Sequence, residues 1–179
     1  MINEKEIKDL CAVDMKRGFQ RLMDSFQEPI YYYVRRLLVS HEDAQDALQE
    51  TFIRVYKSWD TFRGDSALST WIYKIATNES LRILEARQKQ ACLTDEGVQE
   101  ELMNRLMASE YVDYEDAMVV KFQAALLTLP EKQRVVFNLR YYDDLSYDEI
   151  AKILNSKVDT LKVNYYYAKE KIKDYILNH

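Results

Sequence analysis

Asp46 and Glu50 stand one helical turn apart in "SHEDAQDALQETFIRVYKSW". Two carboxylates at that spacing are raw material for general acid–base catalysis or for holding a divalent metal ion. Their surroundings support neither chemistry. No nucleophile, phosphate-binding loop or set of metal ligands accompanies them, and His41 belongs to the first turn of the same helix. Asp46, Gln49, Glu50 and Ile53 instead set an apolar side chain among carboxylates and amides on the outer face, which suits a docking surface better than a reaction centre. The chain is read as a binding protein and not an enzyme, with no cofactor and no metal site. Cys11 and Cys92 lie far apart without CxxC or histidine-rich surroundings, so they read as reduced structural thiols.

Two other clusters carry binding chemistry. Near the C-terminus Lys162, Tyr166, Lys169 and Lys173 fall on one helical stripe, joined by Thr160, Val163 and Asn164. Such a stripe suits a helix lying in a DNA major groove, where lysines neutralise phosphates and side chains near the helix N-terminus meet base edges. In "DTFRGDSALSTWIYKIATN" and just after it, Trp71, Tyr73, Lys74, Thr77, Asn78 and Arg82 combine aromatic, basic and amide groups, the ingredients for stacking and holding single-stranded bases. Trp71 and Ile75 also suit a core, whereas Tyr73, Lys74 and Asn78 are expected outside it. The formal net charge of -5 works against free DNA binding, because the overall field repels phosphate. Most of the affinity must then come from a larger partner. A self-sufficient helix-turn-helix repressor would need a dimerisation helix and an apolar ligand pocket, and the N-terminal half offers a polar docking face instead.

These side chains must be positioned by helices. The 179 residues include only three glycines and two prolines, 47% are hydrophobic, and apolar residues recur every three to four positions, so the fold class is all-α. Behind the docking face, Ala44, Leu48, Phe52, Val55 and Trp59 form the core stripe of a helix that Ser40 caps, with Asp43 as its capping-box partner. The chain breaks at Gly64 and restarts a helix near Ser69 or Thr70. Ser146 with Glu149, and Ser156 with Asp159, are both spaced like capping boxes. They bracket a short helix from about Tyr147 to Leu154, a tight turn with Asn155 in the left-handed conformation, and a last helix that buries Leu161, Tyr165, Ala168, Ile172 and Ile176. This is a helix-turn-helix. Dense patterns from about Ile7 to Lys89, and from about Ala117 onward, predict two small helical domains, residues 1–90 and 117–179, joined by an acidic linker, residues 91–116. Leu102, Leu106 and Met107 have helical spacing inside that linker, but its carboxylates argue against burial. The N-terminus has no apolar run of signal-peptide length, and no segment approaches the roughly 20 apolar residues that span a bilayer, so a cytoplasmic location is expected.

"DAQDALQETFIRVYKSWDTFRGDSALSTWIYKIATN" resembles region two of the extracytoplasmic-function sigma factors, and "LPEKQRVVFNLRYYDDLSYDEIAKILNSKVDTLKVNYYYAKEKI" resembles their region four. The resemblance implies a subunit of RNA polymerase holoenzyme that recognises promoters and helps melt them. By position it assigns Asp46, Gln49 and Glu50, beside Ile53, to the clamp helices of the core polymerase. It assigns Asn78, and the loop that includes Ser66, Ser69 and Thr70, to flipped bases of the minus-ten element, on the surface that also holds Trp71, Tyr73, Lys74 and Arg82. Thr160, Lys162, Val163, Tyr166 and Tyr167 match the minus-thirty-five recognition helix, with Lys169 on the same stripe. Arg82 and Glu85 stand where the family often has an acidic residue followed by an arginine, and Asn164 and Tyr167 stand at frequent arginine positions, so promoter preference does not transfer. The implied partners are core RNA polymerase, promoter DNA and a membrane-linked anti-sigma factor.

Overall fold

Capping side chains set where the first helices begin. Asn3 accepts from the Glu6 amide, Asp14 from the amides of Lys16 and Arg17, and Ser40 from that of Asp43. They start α1 (Glu4–Val13), α2 (Met15–Leu38) and α3 (His41–Lys57). The computed structural model describes residues 3–91, 95–107 and 117–179. Cys92, Glu110, Asp113, Glu115 and Asp116 lie outside the described residues, as do the side chains of Asp95, Glu96 and Met107.

After α3 the chain takes a short 3-10 turn, Trp59–Thr61, in which Trp59, half-buried, still packs against the core as the stripe predicts. The chain then reverses at Gly64, whose φ of 78° is costly for other residues, and resumes as α4 (Leu68–Ala91), slightly before the predicted Ser69. The α2–α3 corner is Val39, at φ 62° and ψ -33°, a conformation seldom taken by a β-branched residue; its side chain is buried. Against α2, α1 comes so close that a Cβ on Gly18 would clash with the backbone nitrogen and the sulfur of Cys11. Burial pushes the Cys11 thiol up, in keeping with a structural thiol.

The expectation that residues 91–116 stay unburied fails over the segment the structure describes. Asp95–Met107 form α5, and Leu102 and Leu106, each 2% exposed, join the main core. Glu101 does not prevent this because Arg105 and Arg87 answer it, and the same two arginines tie α5 and α4 to Asp43 of α3; Glu100 stays exposed. Asp43 is thereby committed to those arginines, and the Ser40 cap is half of the predicted box.

The chain continues as α6 (Ala117–Leu127), α7 (Glu131–Tyr141), α8 (Tyr147–Leu154) and α9 (Val158–Asn178). The Ser146–Glu149 box forms in both directions, and Asn155 closes α8 at φ 48° and ψ 50°, as its sequence predicts. The Ser156–Asp159 box does not form. The left-handed turn delays the next helix, so Lys157 takes the cap position without a side-chain bond and Asp159 points to solvent.

All the regular elements among the described residues are helical. One apolar cluster runs from Ile7, Leu22 and Phe26 through Ile72 to Val135, Leu139, Ile150 and Leu161, so both halves share it; a smaller one joins Leu129 and Phe137 to Ala168 and Ile172. Between the halves, α4 packs on α8 and α2 on α7. Among the described residues no helix is long and apolar enough to cross a membrane.

The closeness of α1 and α2 yields a test. Gly18→Ala gains up to about 1 kcal/mol of helix propensity, but overpacking a fixed contact costs typically about 1–3 kcal/mol. The variant should be less stable by about 1 kcal/mol in urea denaturation with an unchanged slope. An equal or higher midpoint would show that α1 yields freely.

Candidate protein and nucleic-acid interfaces

On α3, Asp46 and Gln49 are exposed, Glu50 is half-buried and Ile53 is 36% exposed. Beside them lies an open, mainly apolar groove of about 590 Å³, whose walls include Phe19 and Met23 from α2 and Leu48, Phe52, Ile53 and Tyr56 from α3. The sequence shows the α3 rim but not the groove, because the second wall comes from a helix whose outward residues follow no motif. Among the described residues no group of three or more His, Cys, Asp or Glu side chains is placed to hold a metal ion.

The start of α4 is held from a distance. Glu4, on α1, accepts from the Leu68 amide at 2.8 Å and the Ser69 amide at 3.0 Å, so a carboxylate 64 residues upstream of the first caps this helix. That position suits a negative charge. Burial works to raise the Glu4 carboxyl, but the bonds from Ser69 and Leu68, helped by Lys8, bring it below the usual range. Nothing local in the sequence marks Glu4 for this role.

Next to this cap Phe62 stacks on Trp71 at 4.8 Å, and Lys8 lies 5.1 Å from the Phe62 ring centre. A hollow of about 370 Å³ is lined by Arg63, Ser66, Thr70, Trp71 and Lys74, and also by Lys152 from α8. Thr70 is only 2% exposed, and its hydroxyl has no hydrogen-bond partner among the described residues. Ser66, Ser69 and Trp71 are half-buried, and Lys74 and Asn78 are exposed.

Tyr73 departs from expectation. It is 6% exposed, its ring lies beside Tyr33, and its hydroxyl donates to Asp143 of the other half at 3.0 Å. Burial and the Asp143 charge push this hydroxyl well up, so it stays a donor. Thr77 is also internal, giving its proton to the Tyr73 carbonyl and meeting the Tyr33 hydroxyl at 2.7 Å. Arg82 is exposed but bonded to Glu79, a buried carboxylate that Arg54 approaches from its other oxygen. Of the residues foreseen as a single-strand surface, Lys74 and Asn78 lie outside and Ser66, Ser69 and Trp71 are half-buried, while Ser69 and the buried Thr70 belong to the first turn of α4 and not to a loop.

On α9, Thr160, Lys162, Val163, Tyr166, Tyr167 and Lys169 are all exposed. Tyr166 and Tyr167 meet edge to face, and Lys169 lies over the ring of Tyr165, whose own side chain packs against the core. Lys162 pairs with Asp159 and borders a hollow that Arg140 of α7 and Tyr147, Asp148 and Glu149 of α8 also line, so the N-terminal end of the stripe adjoins those helices.

Three polar residues were not foreseen. Arg36, in the last turn of α2, donates to Asp143 at 2.7 Å and to Asn138 at 3.2 Å, and lies over the Tyr142 ring. The Arg36 and Asp143 side chains are 10% and 8% exposed. Burial pushes the Asp143 carboxyl up, and Arg36 and Tyr73 offset only part of that. Their partners are 70 to 107 residues apart in sequence, beyond any local pattern.

The Glu4 cap predicts a pH dependence. A carboxyl lower in the folded than in the unfolded chain adds stability above the ordinary glutamate range, and this is lost as pH falls through its depressed folded value. Wild type should exceed Glu4→Gln in melting temperature at neutral pH, and the gap should close on acidification below that range. A gap constant down to strongly acidic pH would rule out a charged cap.

Two family models match the chain, Sigma-70 region 2 over residues 22–90 and Sigma-70, region 4 over residues 120–172. The ECF RNA polymerase sigma factor SigW of Bacillus subtilis is 33% identical over 180 aligned positions, covering 97% of this chain and 96% of that protein. Two solved structures share the fold at a TM-score of 0.70 each. The sigma factor RpoE of Bartonella quintana, with the anti-sigma factor NepR, is 18% identical and matches over 90% of this chain and 98% of its own. CnrH, with the cytosolic domain of CnrY, is 19% identical and matches over 96% and 95%. With both family regions present in order on the two halves that carry the α3 face and the α9 stripe, the chain belongs to the sigma-70 family, as an RNA polymerase sigma factor of the extracytoplasmic-function group.

Proposed function

We propose that this sigma factor directs core RNA polymerase to its promoters through three surfaces, one for the core enzyme and two for different parts of the promoter. The observation that carries the reading is the coexistence in one chain of an outward docking face on α3 and an outward basic and aromatic stripe on α9. The α3 face, with Asp46, Gln49, Glu50 and Ile53 beside the apolar groove, takes the core enzyme. The exposed side of α4, around Lys74, Asn78 and Trp71, holds unpaired bases of the minus-ten element. On α9, Lys162, Val163 and Tyr166, with Thr160 and Tyr167, face bases in the upstream groove, while Lys169 meets phosphate. Residues 1–90 and 117–179 serve as the two functional units with residues 91–116 between them. The chain acts in the cytoplasm and catalyses no reaction itself. By analogy with the NepR and CnrY complexes, an anti-sigma factor restrains it; Ile53 and the α9 tyrosines are apolar anchors for such a partner.

Charge reversal tests the first assignment. Asp46→Lys with Glu50→Lys lies off the core stripe and should leave the melting curve nearly unchanged, because surface substitutions usually stay within about 0.5 kcal/mol. Affinity for core polymerase should fall at least about tenfold, or 1.4 kcal/mol. Wild-type assembly by the double variant would remove α3 from the docking model.

Base capture is tested by Asn78→Ala. The exposed side chain can be lost without disturbing the core, so loading onto core should be normal while open-complex formation on duplex promoters drops. Permanganate footprinting of the melted region reads this directly. Unimpaired melting would exclude Asn78 from strand capture.

A further inference from the structure

The capping box that would occupy Asp159 does not form, so its carboxylate is left for another use. The side chain is 96% exposed, and among the described residues its one ion-pair partner is Lys162, at 3.8 Å. An exposed pair of this kind contributes little to stability. Its place on α9 is more telling. At 3.6 residues per turn, Asp159 heads the stripe that continues through Lys162, Val163, Tyr166 and Lys169, on the side of the helix opposite the buried Leu161, Ala168 and Ile172. It also stands in the first turn, the part of a recognition helix that meets base edges in helix-turn-helix proteins.

We propose that Asp159 determines promoter specificity: its carboxylate accepts a hydrogen bond from the N4 amino group of a cytosine in the upstream element, while Lys162 donates to O6 or N7 of the guanine paired with that base. This rests on the reading of α9 as the upstream recognition helix. Charge decides between base and backbone. A carboxylate set against phosphate is repelled, and its surroundings do not offset that, because the hollow beside Lys162 is lined by Asp144, Asp148 and Glu149 against Arg140. The exposed Lys169 and Lys173, further along the helix, are left to meet phosphate.

Base chemistry then selects cytosine. In the major groove only adenine and cytosine offer an amino group; adenine sets its N6 donor beside the acceptor N7, which repels a carboxylate, whereas cytosine shows N4 alone. The paired guanine presents the acceptors O6 and N7 next to it. An acceptor and a donor held side by side on α9 therefore match the edge of a C·G pair in polarity, and the pairing of Asp159 with Lys162 in the free protein brings the two together in advance. A carboxylate in the first turn also suits the helix dipole, but that role is blind to DNA sequence.

The test is selection by holoenzyme, assembled from core polymerase and the full chain, from a promoter library with a randomised upstream element, read by sequencing the bound DNA. Wild type should prefer cytosine on one strand at one position. Asp159→Ala should weaken that preference about fivefold or more, the lower end of what a good base contact discriminates. Asp159→Asn should move it toward adenine, whose N6 and N7 suit an amide. Glu170→Gln is the control, since Glu170 is an exposed acid on the same face roughly 16 Å along the helix; it should leave the preference at every position as in wild type. Circular dichroism establishes that each chain stays folded. A wild-type profile without such a cytosine would overturn the proposal, as would Asp159 variants that keep the wild-type profile or that alter recovery of all sequences alike. Failure of the underlying reading looks different: Lys162→Ala and Tyr166→Ala would then also leave the upstream profile unchanged, whereas if Asp159 alone is misassigned those two variants shift it.

Discussion

A carboxylate buried between two helical bodies must be met by charge or by hydrogen bonds, and Asp143 is met by both. The rest of the arrangement follows from that demand. The turn after α7 places Asp144 at φ 49°, and the Leu145 amide bonds back to the Leu139 carbonyl, so the chain reverses just where Asp143 points inward. Arg36 reaches it from the last turn of α2, where a cation is also favoured by the helix dipole. Tyr73 reaches it from the middle of α4, with its ring against Tyr33 and its carbonyl holding Thr77. Shift any of these three helices and one charged or polar group is left buried alone, at a cost several times the worth of the bond.

Periodicity made much of this fold legible. The limits of α8, its capping box and the left-handed Asn155 follow from residue types within ten positions, because helix ends are local problems. Other features depend on partners that no window contains. α5 eluded composition because averaging over the segment hides which face each residue takes: Leu102 and Leu106 are buried while arginines of α4 and α5 answer Glu101. The Ser156–Asp159 spacing is right for a box, but the preceding turn decides which residue caps, and it chose Lys157. Tyr73 is the sharper case. A tyrosine has an apolar body and a polar tip, and whether the tip faces water or a carboxylate in the other half is not a property of its neighbours in sequence.

The three surfaces fared unequally for the same reason. On α9 the stripe is intact, since a helix with one buried face necessarily shows the other. On α3 the rim was legible and the groove was not, because two helices make it. On α4 the surface shrank when Tyr73 and Thr70 turned inward and Arg82 joined Glu79. Net charge was likewise a coarse guide. The total says nothing of where the charges lie: Asp43 is met by Arg87 and Arg105 and Glu79 by Arg54 and Arg82, while Lys162, Lys169 and Lys173 are exposed on α9.

The sequence distance across the seam has a consequence for the nascent chain. Synthesis delivers Tyr73 and Arg36 well before Asp143; the tyrosine waits 70 residues for its acceptor. At about 5–20 residues per second, that interval is on the order of 4–14 s, long compared with the formation of helices. Through that time the first four helices have their own apolar contacts but no C-terminal half to lie against, and the side of α4 that later meets α8 faces water. The seam therefore forms only after the first four helices have been made, against a half of the chain that is still being completed by α9.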